Sequence, residues 1–100
     1  MNMIYKNLDE FLGAYFHQDW SEDEPTADRI VNKYLSEWPR GDALLALREL
    51  EDLLSKNHDE TKLRELLDEM GCYYDPSGDA MTCTSWLSNV REKMATRLLE

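Results

Sequence analysis

Few side chains in this sequence are spaced for chemistry. His17 and Asp19 stand at the end of a predicted helix, where a carboxylate could orient an imidazole for proton transfer or for metal binding. The other histidine, His58, lies far along the chain in a polar segment, and the sequence has no His-Glu-x-x-His, Glu-x-x-His or Cys-His grouping. We therefore interpret His17 as a structural imidazole, hydrogen-bonded at a helix end, and expect no metal site.

The two cysteines, Cys72 and Cys83, match neither a zinc pattern nor a nucleophile motif. We expect reduced thiols, with a single loop-closing disulfide as the alternative. The four glycines form no phosphate-binding loop. Carboxylate pairs on predicted helices are typical of a solvated face, so no assembled site supports a hydrolase. The sequence therefore predicts neither catalysis nor a cofactor.

Acidic residues dominate the charge. The chain has 21 Asp and Glu against 11 Lys and Arg, a net charge of −10 and a pI near 4.5. The basic residues are scattered, which argues against direct binding to nucleic acid or to an anionic membrane and favours a basic protein partner. The segment from Asp19 to Asp28 contains no Lys or Arg, and a basic cleft would relieve its repulsion.

The apolar periodicity predicts an all-α fold: a compact single-domain bundle, residues 1–100, of about five helices joined by short loops. We expect the first helix over residues 7–17 with Asn7 as its N-cap, and a connector over residues 20–25. Thr26 should begin the second helix, which ends before Pro39, and the third should begin at Asp42 with its charged positions facing water. The remaining predicted boundaries are Asp59 and Gly71 for the fourth helix, and Thr82 or Thr84 for the start of the last.

The aromatic residues are expected mainly in the core. Trp38 and Trp86 fall on apolar stripes, and Tyr73 and Tyr74 should fold back from a turn-rich loop onto the core. Trp20 follows a helix end and precedes polar residues. We expect it to clamp the connector onto the core, with a role as a partner's anchor as the alternative.

No apolar stretch reaches the length of a membrane span, and the first residues lack the apolar region of a secretory signal. We therefore expect a cytoplasmic protein.

A longer pattern resembles a known family. The run Tyr15, Phe16, His17, Gln18, Asp19, Trp20, followed by an acidic connector that contains proline and then by an amphipathic helix, resembles the immunity proteins of bacterial contact-dependent growth inhibition systems. The C-terminal half is similar in the order of Gly71, Tyr74, Pro76 and the Trp86-Leu87 pair. The resemblance covers nearly the whole chain.

This resemblance implies a small cytosolic α-helical protein without catalytic activity. It would bind and neutralise the C-terminal toxin domain, often a nuclease, of a large surface-exposed effector, as a one-to-one heterodimer. The family pattern does not indicate which residues touch the toxin. We interpret the residues from Tyr15 to Trp20, together with Trp86, as a shared structural motif.

The toxin-binding residues remain a hypothesis from charge. Nuclease sites bind polyphosphate and are commonly basic, so carboxylates can occupy them in place of phosphates. The candidate toxin-binding residues are Asp19, Glu22, Asp23, Glu24, Asp28, Glu49, Asp52, Asp75 and Asp79. Binding could cover the active site or an exosite. The alternative function is an acidic helical adaptor or regulator that binds another basic protein.

Overall fold

Residues 4–99 are described by a computed structural model, and within that range the fold consists of six α-helices and one 3-10 helix. No strand occurs among these residues, so the all-α prediction is confirmed. In chain order the elements are α1 (Lys6–Tyr15), α2 (Trp20–Asp23), α3 (Ala27–Glu37), α4 (Arg40–Ser55), α5 (Glu60–Glu69), the 3-10 helix (Pro76–Asp79) and α6 (Cys83–Leu98).

The two longest helices, α4 and α6, pack against each other at the centre of the molecule. The other helices surround this pair, with α1 on α4, α5 on α6, and α3 bridging α1 and α6. Burying each large apolar side chain stabilises the fold by roughly 1.5–3 kcal/mol. Fully buried core side chains include Leu8, Phe11, Leu12, Phe16, Leu50, Leu53, Leu67, Leu87 and Met94.

Three predicted helix starts are confirmed by their capping hydrogen bonds. The side chains of Thr26, Asp59 and Thr82 each accept a hydrogen bond from the backbone N–H three residues later. The donors are Arg29 at 3.2 Å, Lys62 at 2.8 Å and Ser85 at 3.0 Å. These caps fix where α3, α5 and α6 begin.

The predicted cap of α1 is wrong. The helix begins at Lys6, so Asn7 lies inside its first turn rather than before it. The Asn7 amide Nδ2 donates to Glu49 Oε2 at 2.6 Å, and Glu49 Oε1 accepts the backbone N–H of Leu8 at 2.9 Å. A carboxylate from α4 therefore satisfies the start of α1, in place of a local side chain. Glu49, expected to face water, is half-buried by this contact.

Two boundaries in the first half also differ from the prediction. The expected connector over residues 20–25 contains a single helical turn, α2. The third predicted helix begins at Arg40 rather than Asp42, because Pro39 takes the N-cap position of α4. A proline there loses no helical hydrogen bond, so α3 and α4 are separated by only two residues.

The end of α5 approaches α1 closely. Gly71 has φ +79°, the left-handed conformation expected of it, and a Cβ atom at this position would lie 3.4 Å from the Cα of Gly13. A Cβ at Gly13 would in turn lie 3.1 Å from the carbonyl oxygen of Met70. The segment after α5 continues beside the end of α1, where the N–H of Tyr73 donates to the carbonyl of Phe16 at 2.7 Å. This contact brings two distant parts of the sequence to one surface.

Candidate functional site

The turn between α1 and α2 is fixed to the core by Phe16. Its side chain is fully buried, and its ring lies 6.0 Å from Phe11, 5.2 Å from Trp86 and 5.8 Å from Tyr74, measured between ring centroids. Trp86 is buried, as the sequence predicts. Phe16 thus packs the Tyr15–Trp20 motif onto the core and fixes the position of the acidic residues that follow.

His17 organises the same turn through both ring nitrogens. Its Nδ1 accepts the backbone N–H of Asp19 at 3.1 Å, and its Nε2 lies 2.8 Å from Asp23 Oδ2. Because Nδ1 accepts, Nε2 carries the proton that is donated to the carboxylate. These two contacts hold the imidazole in the turn after α1, and the interpretation of His17 as a structural residue stays a prediction. Within residues 4–99, no three His, Cys, Asp or Glu side chains converge in a way that could hold a metal ion.

Trp20 clamps α2 onto the core, as expected. Its ring lies 6.0 Å from Phe16 and packs edge-on against Tyr74 at 5.4 Å. The indole remains partly exposed. The alternative role of Trp20, as an anchor for a partner, is not tested by these contacts.

Carboxylates cluster around this clamp. Asp19, Glu22 and Asp23 are exposed at α2, and Glu24 is half-buried at its end. Asp28, in the first turn of α3, forms an ion pair with Lys93 of α6 at 2.6 Å. Asp23 pairs with His17, and Glu24 lines a cleft together with Arg29, Lys33 and Arg97, while Asp19 and Glu22 face solvent.

A second group of carboxylates comes from the loop before α6. Asp75 Oδ1 accepts the N–H and the hydroxyl of Ser77 at 3.0 and 2.7 Å, and these bonds lower the pKa of Asp75. Asp79 Oδ2 accepts the Tyr74 hydroxyl at 2.6 Å. Burial, and then this hydrogen bond, raise the pKa of Tyr74, so its hydroxyl remains a donor.

The two groups lie on elements that contact each other. The contact between Trp20 and Tyr74 joins α2 to the loop, and a cleft lined by both Asp28 and Asp79 joins the loop to α3. We call the surface that carries these carboxylates the acidic surface. It consists of Asp19, Glu22, Asp23, Glu24, Asp28, Asp75 and Asp79.

Glu49 and Asp52 lie elsewhere. They stand on α4 beside the start of α1, where Glu49 binds Asn7 and Leu8 and Asp52 accepts the Tyr5 hydroxyl at 2.9 Å. Burial and the Asp52 carboxylate raise the pKa of Tyr5 to about 12. The ten residues of α1, about 15 Å of helix, separate this end from the acidic surface. These two predicted site residues are therefore already engaged in holding the fold.

Sequence reasoning missed the exposure of Tyr73. Both tyrosines of the loop were expected to face the core, but Tyr74 is 3% exposed and Tyr73 is 62% exposed. The segment is extended, so successive side chains point to opposite sides, and Cys72 is buried on the same side as Tyr74. The period-two alternation of this segment was the signal that could have found it.

Cys72 and Cys83 are free thiols, as predicted, and no disulfide joins them. Burial raises the pKa of the Cys72 thiol to about 11 and that of Cys83 to about 12; a hydrogen bond with Glu60 adds to the effect at Cys83. Neither thiol is activated as a nucleophile, since nucleophilic cysteines have lowered pKa values.

A comparison with known families decides the identity. A family model described as CdiI immunity protein matches residues 4–94. The chain belongs to the CdiI immunity protein family. No curated protein and no solved structure matches it. The matched range of this CdiI immunity protein extends from the start of the described residues into α6 and includes the whole acidic surface.

Members of the CdiI family bind the cognate toxin domain of a contact-dependent inhibition system and neutralise it, so the resemblance found in the sequence is confirmed. The role of the family is that of a toxin inhibitor. Within residues 4–99 of this CdiI immunity protein, no helix has the length and apolar character to cross a bilayer.

Proposed function

We propose that this CdiI immunity protein neutralises a nuclease toxin by forming a one-to-one complex in which the acidic surface covers the toxin's substrate-binding site. The observation that carries the proposal is the contact of the loop before α6 with α2 and with the start of α3, since all three carry carboxylates. The complex would form in the cytoplasm, where an incoming nuclease domain meets nucleic acid. The chain itself would perform no catalysis and need no cofactor.

The physical argument is charge mimicry. A nuclease active site binds a row of phosphates, so its surface attracts anions. Carboxylates held on a rigid turn can take the place of those phosphates without the cost of ordering a flexible segment. The net charge of −10 would also speed the encounter with a basic partner.

The available surface is large enough. A standard protein interface buries about 800 Å² on each partner, roughly one seventh of the 5812 Å² that this molecule exposes. The acidic surface spans three elements, so it can supply an interface of this size. A few anchor residues would then set the affinity, with the carboxylates setting orientation and association rate.

The first experiment is co-expression with the C-terminal domain encoded by the gene directly upstream. We expect cell survival and co-purification of a one-to-one complex. A competition assay with an inactivated toxin domain and an oligonucleotide then tests how inhibition works. Release of the oligonucleotide supports coverage of the substrate site, whereas a stable ternary complex would show that the protein binds an exosite.

Charge reversal tests the surface. Glu22→Lys on α2 should slow association several-fold at low ionic strength, with less effect in high salt, because steering by exposed charges is screened. Glu92→Lys on α6 is the matched control, since it makes the same change in net charge at another exposed position. Equal association rates for the two variants would place α2 outside the interface.

A further inference from the structure

One aromatic side chain beside the acidic surface is exposed without a role in the fold. Among the ten aromatic residues, all within residues 4–99, Tyr73 is the one that is mostly exposed to solvent, at 62%. Its hydroxyl makes no hydrogen bond within the described range, and its ring stacks on none of the other nine. Exposed aromatic residues are a common source of binding energy at protein interfaces.

The backbone that carries Tyr73 is held firmly. Its N–H donates to the carbonyl of Phe16 at 2.7 Å, and its neighbours Cys72 and Tyr74 are both buried. A tyrosine has only two side-chain torsions to fix on binding, so ordering this ring costs little conformational entropy. The ring is therefore presented at a fixed place next to the Tyr15–Trp20 turn.

Tyr73 forms one wall of a cleft between the end of α5 and the loop before α6. The other lining residues are Arg64, Asp68, Gly71, Cys72 and Asp75. We call this the Tyr73 cleft.

Arg64 closes the base of the Tyr73 cleft. Its guanidinium donates to Asp68 Oδ1 at 3.0 Å, to the carbonyl of Cys72 at 3.3 Å and to the carbonyl of Tyr74 at 3.2 Å. It also lies 3.9 Å from Asp75 Oδ1. These contacts hold the loop against α5, so Arg64 serves the fold.

Both carboxylates of the cleft retain acceptor capacity. The contacts that Asp68 and Asp75 make with Arg64 and Ser77 all fall on Oδ1. Oδ2 of each makes no hydrogen bond or ion pair within residues 4–99, and the two side chains are 66% and 68% exposed. Two carboxylates against one guanidinium leave the cleft with surplus negative charge.

We propose that the Tyr73 cleft receives an arginine side chain of the toxin domain. Its guanidinium would stack on the Tyr73 ring and donate to Oδ2 of Asp68 and of Asp75. Arginine fits this combination because its planar guanidinium stacks on aromatic rings and its fork of N–H groups matches carboxylates. The inference rests on the proposed function, in which the partner is a basic toxin domain, and extends it by naming the anchor of the interface.

The test measures binding of the purified toxin domain. Tyr73→Ala should weaken Kd at least tenfold, mainly through faster dissociation, because an anchor is lost. Tyr73→Phe should remain within about threefold of the wild type, since stacking needs the ring and not the hydroxyl. Leu45→Ala, which truncates another exposed apolar side chain on α4, is the matched control and should leave Kd unchanged.

The carboxylates are tested in the same assay. Asp68→Asn should weaken binding several-fold, and less so in high salt, whereas Glu92→Gln makes the same change in charge on α6 and should not. Because both groups would contact one arginine, the effects of Tyr73→Ala and Asp68→Asn should not add. Thermal unfolding of each variant checks that the fold is retained.

The outcomes separate the two proposals. If the wild type binds and Tyr73→Ala binds equally well, the cleft inference is wrong while the proposed function stands. If Tyr73→Phe loses as much affinity as Tyr73→Ala, the hydroxyl carries the contact and stacking is wrong. If the wild-type protein does not bind the toxin domain, both proposals fail.

Discussion

At the scale of single residues, the carboxylates of this protein fall into two sets: some bind groups within the fold, and others face solvent. Glu49 and Asp52 bind groups at the start of α1, and Glu60 binds the start of α6. The carboxylates of α2 instead face solvent, as does most of Asp75. Net charge alone does not distinguish the two sets, because only the contacts show which carboxylates the fold already uses.

Glu49→Ala should destabilise the protein by about 1–2 kcal/mol, the upper range for loss of a helix cap, because the Leu8 N–H and the Asn7 amide would both lose their acceptor in a half-buried place. Urea unfolding at neutral pH measures the change. Glu92→Ala, at an exposed position of α6, is the control and should stay within about 0.5 kcal/mol of the wild type. Equal stability of the two variants would show that Glu49 does not cap α1.

Local sequence could not predict this cap. Asn7 is a favourable N-cap residue, and nothing nearby indicates that a carboxylate 42 positions later takes over the role. Tyr73 and Tyr74 show another case, since two adjacent tyrosines do not by themselves indicate which one faces the core, and only the polar Asp75, two positions after Tyr73, marks the exposed side. A long-range contact limited the first prediction, and the extended backbone of a segment predicted to be a turn-rich loop limited the second.

At the scale of elements, Glu60 connects two helices. It stands in the first turn of α5, and its Oε2 accepts the N–H of Cys83, the first residue of α6, at 2.7 Å. This backbone hydrogen bond lowers the pKa of Glu60 below its ordinary value of 4.5. The folded state therefore favours the ionised carboxylate, as expected beside a helix N-terminus.

The sign of the pH dependence follows from that shift. The unfolded chain binds the Glu60 proton more readily, so the stabilisation is present above about pH 4.5 and is lost as the pH falls through the lowered folded value. Glu60→Gln should cost about 0.5–1 kcal/mol at pH 7, a modest amount because the carboxylate is exposed. The difference from the wild type should shrink by about pH 3. Urea unfolding at both pH values measures it, with Glu65→Gln as control; a constant difference would contradict this role.

At the scale of the whole molecule, the helices were more predictable than the surface they build. Apolar periodicity and the caps at Thr26, Asp59 and Thr82 place most helices, because those signals are local. The acidic surface depends on Trp20 meeting Tyr74 and on Tyr73 meeting Phe16, contacts between segments more than 50 positions apart. No pattern within one helix predicts contacts between such distant segments. The sequence could therefore indicate candidate site residues by their charge, but not by their position in the fold.

Because Trp20 packs on Tyr74 at the acidic surface, its intrinsic fluorescence can report on binding there. Trp20 is the partly exposed indole of α2, Trp86 is buried, and Trp38, which is also partly exposed, lies at the end of α3. A partner that covers α2 should therefore shift the Trp20 contribution to the emission to shorter wavelength without any attached label. Trp20→Phe keeps an aromatic ring on the core and should abolish the shift, and subtracting its spectrum removes the toxin's own fluorescence. An identical shift in both proteins would mean that the signal arises away from α2. The residue that fastens the acidic surface would thus reveal, in a simple titration, whether that surface is occupied.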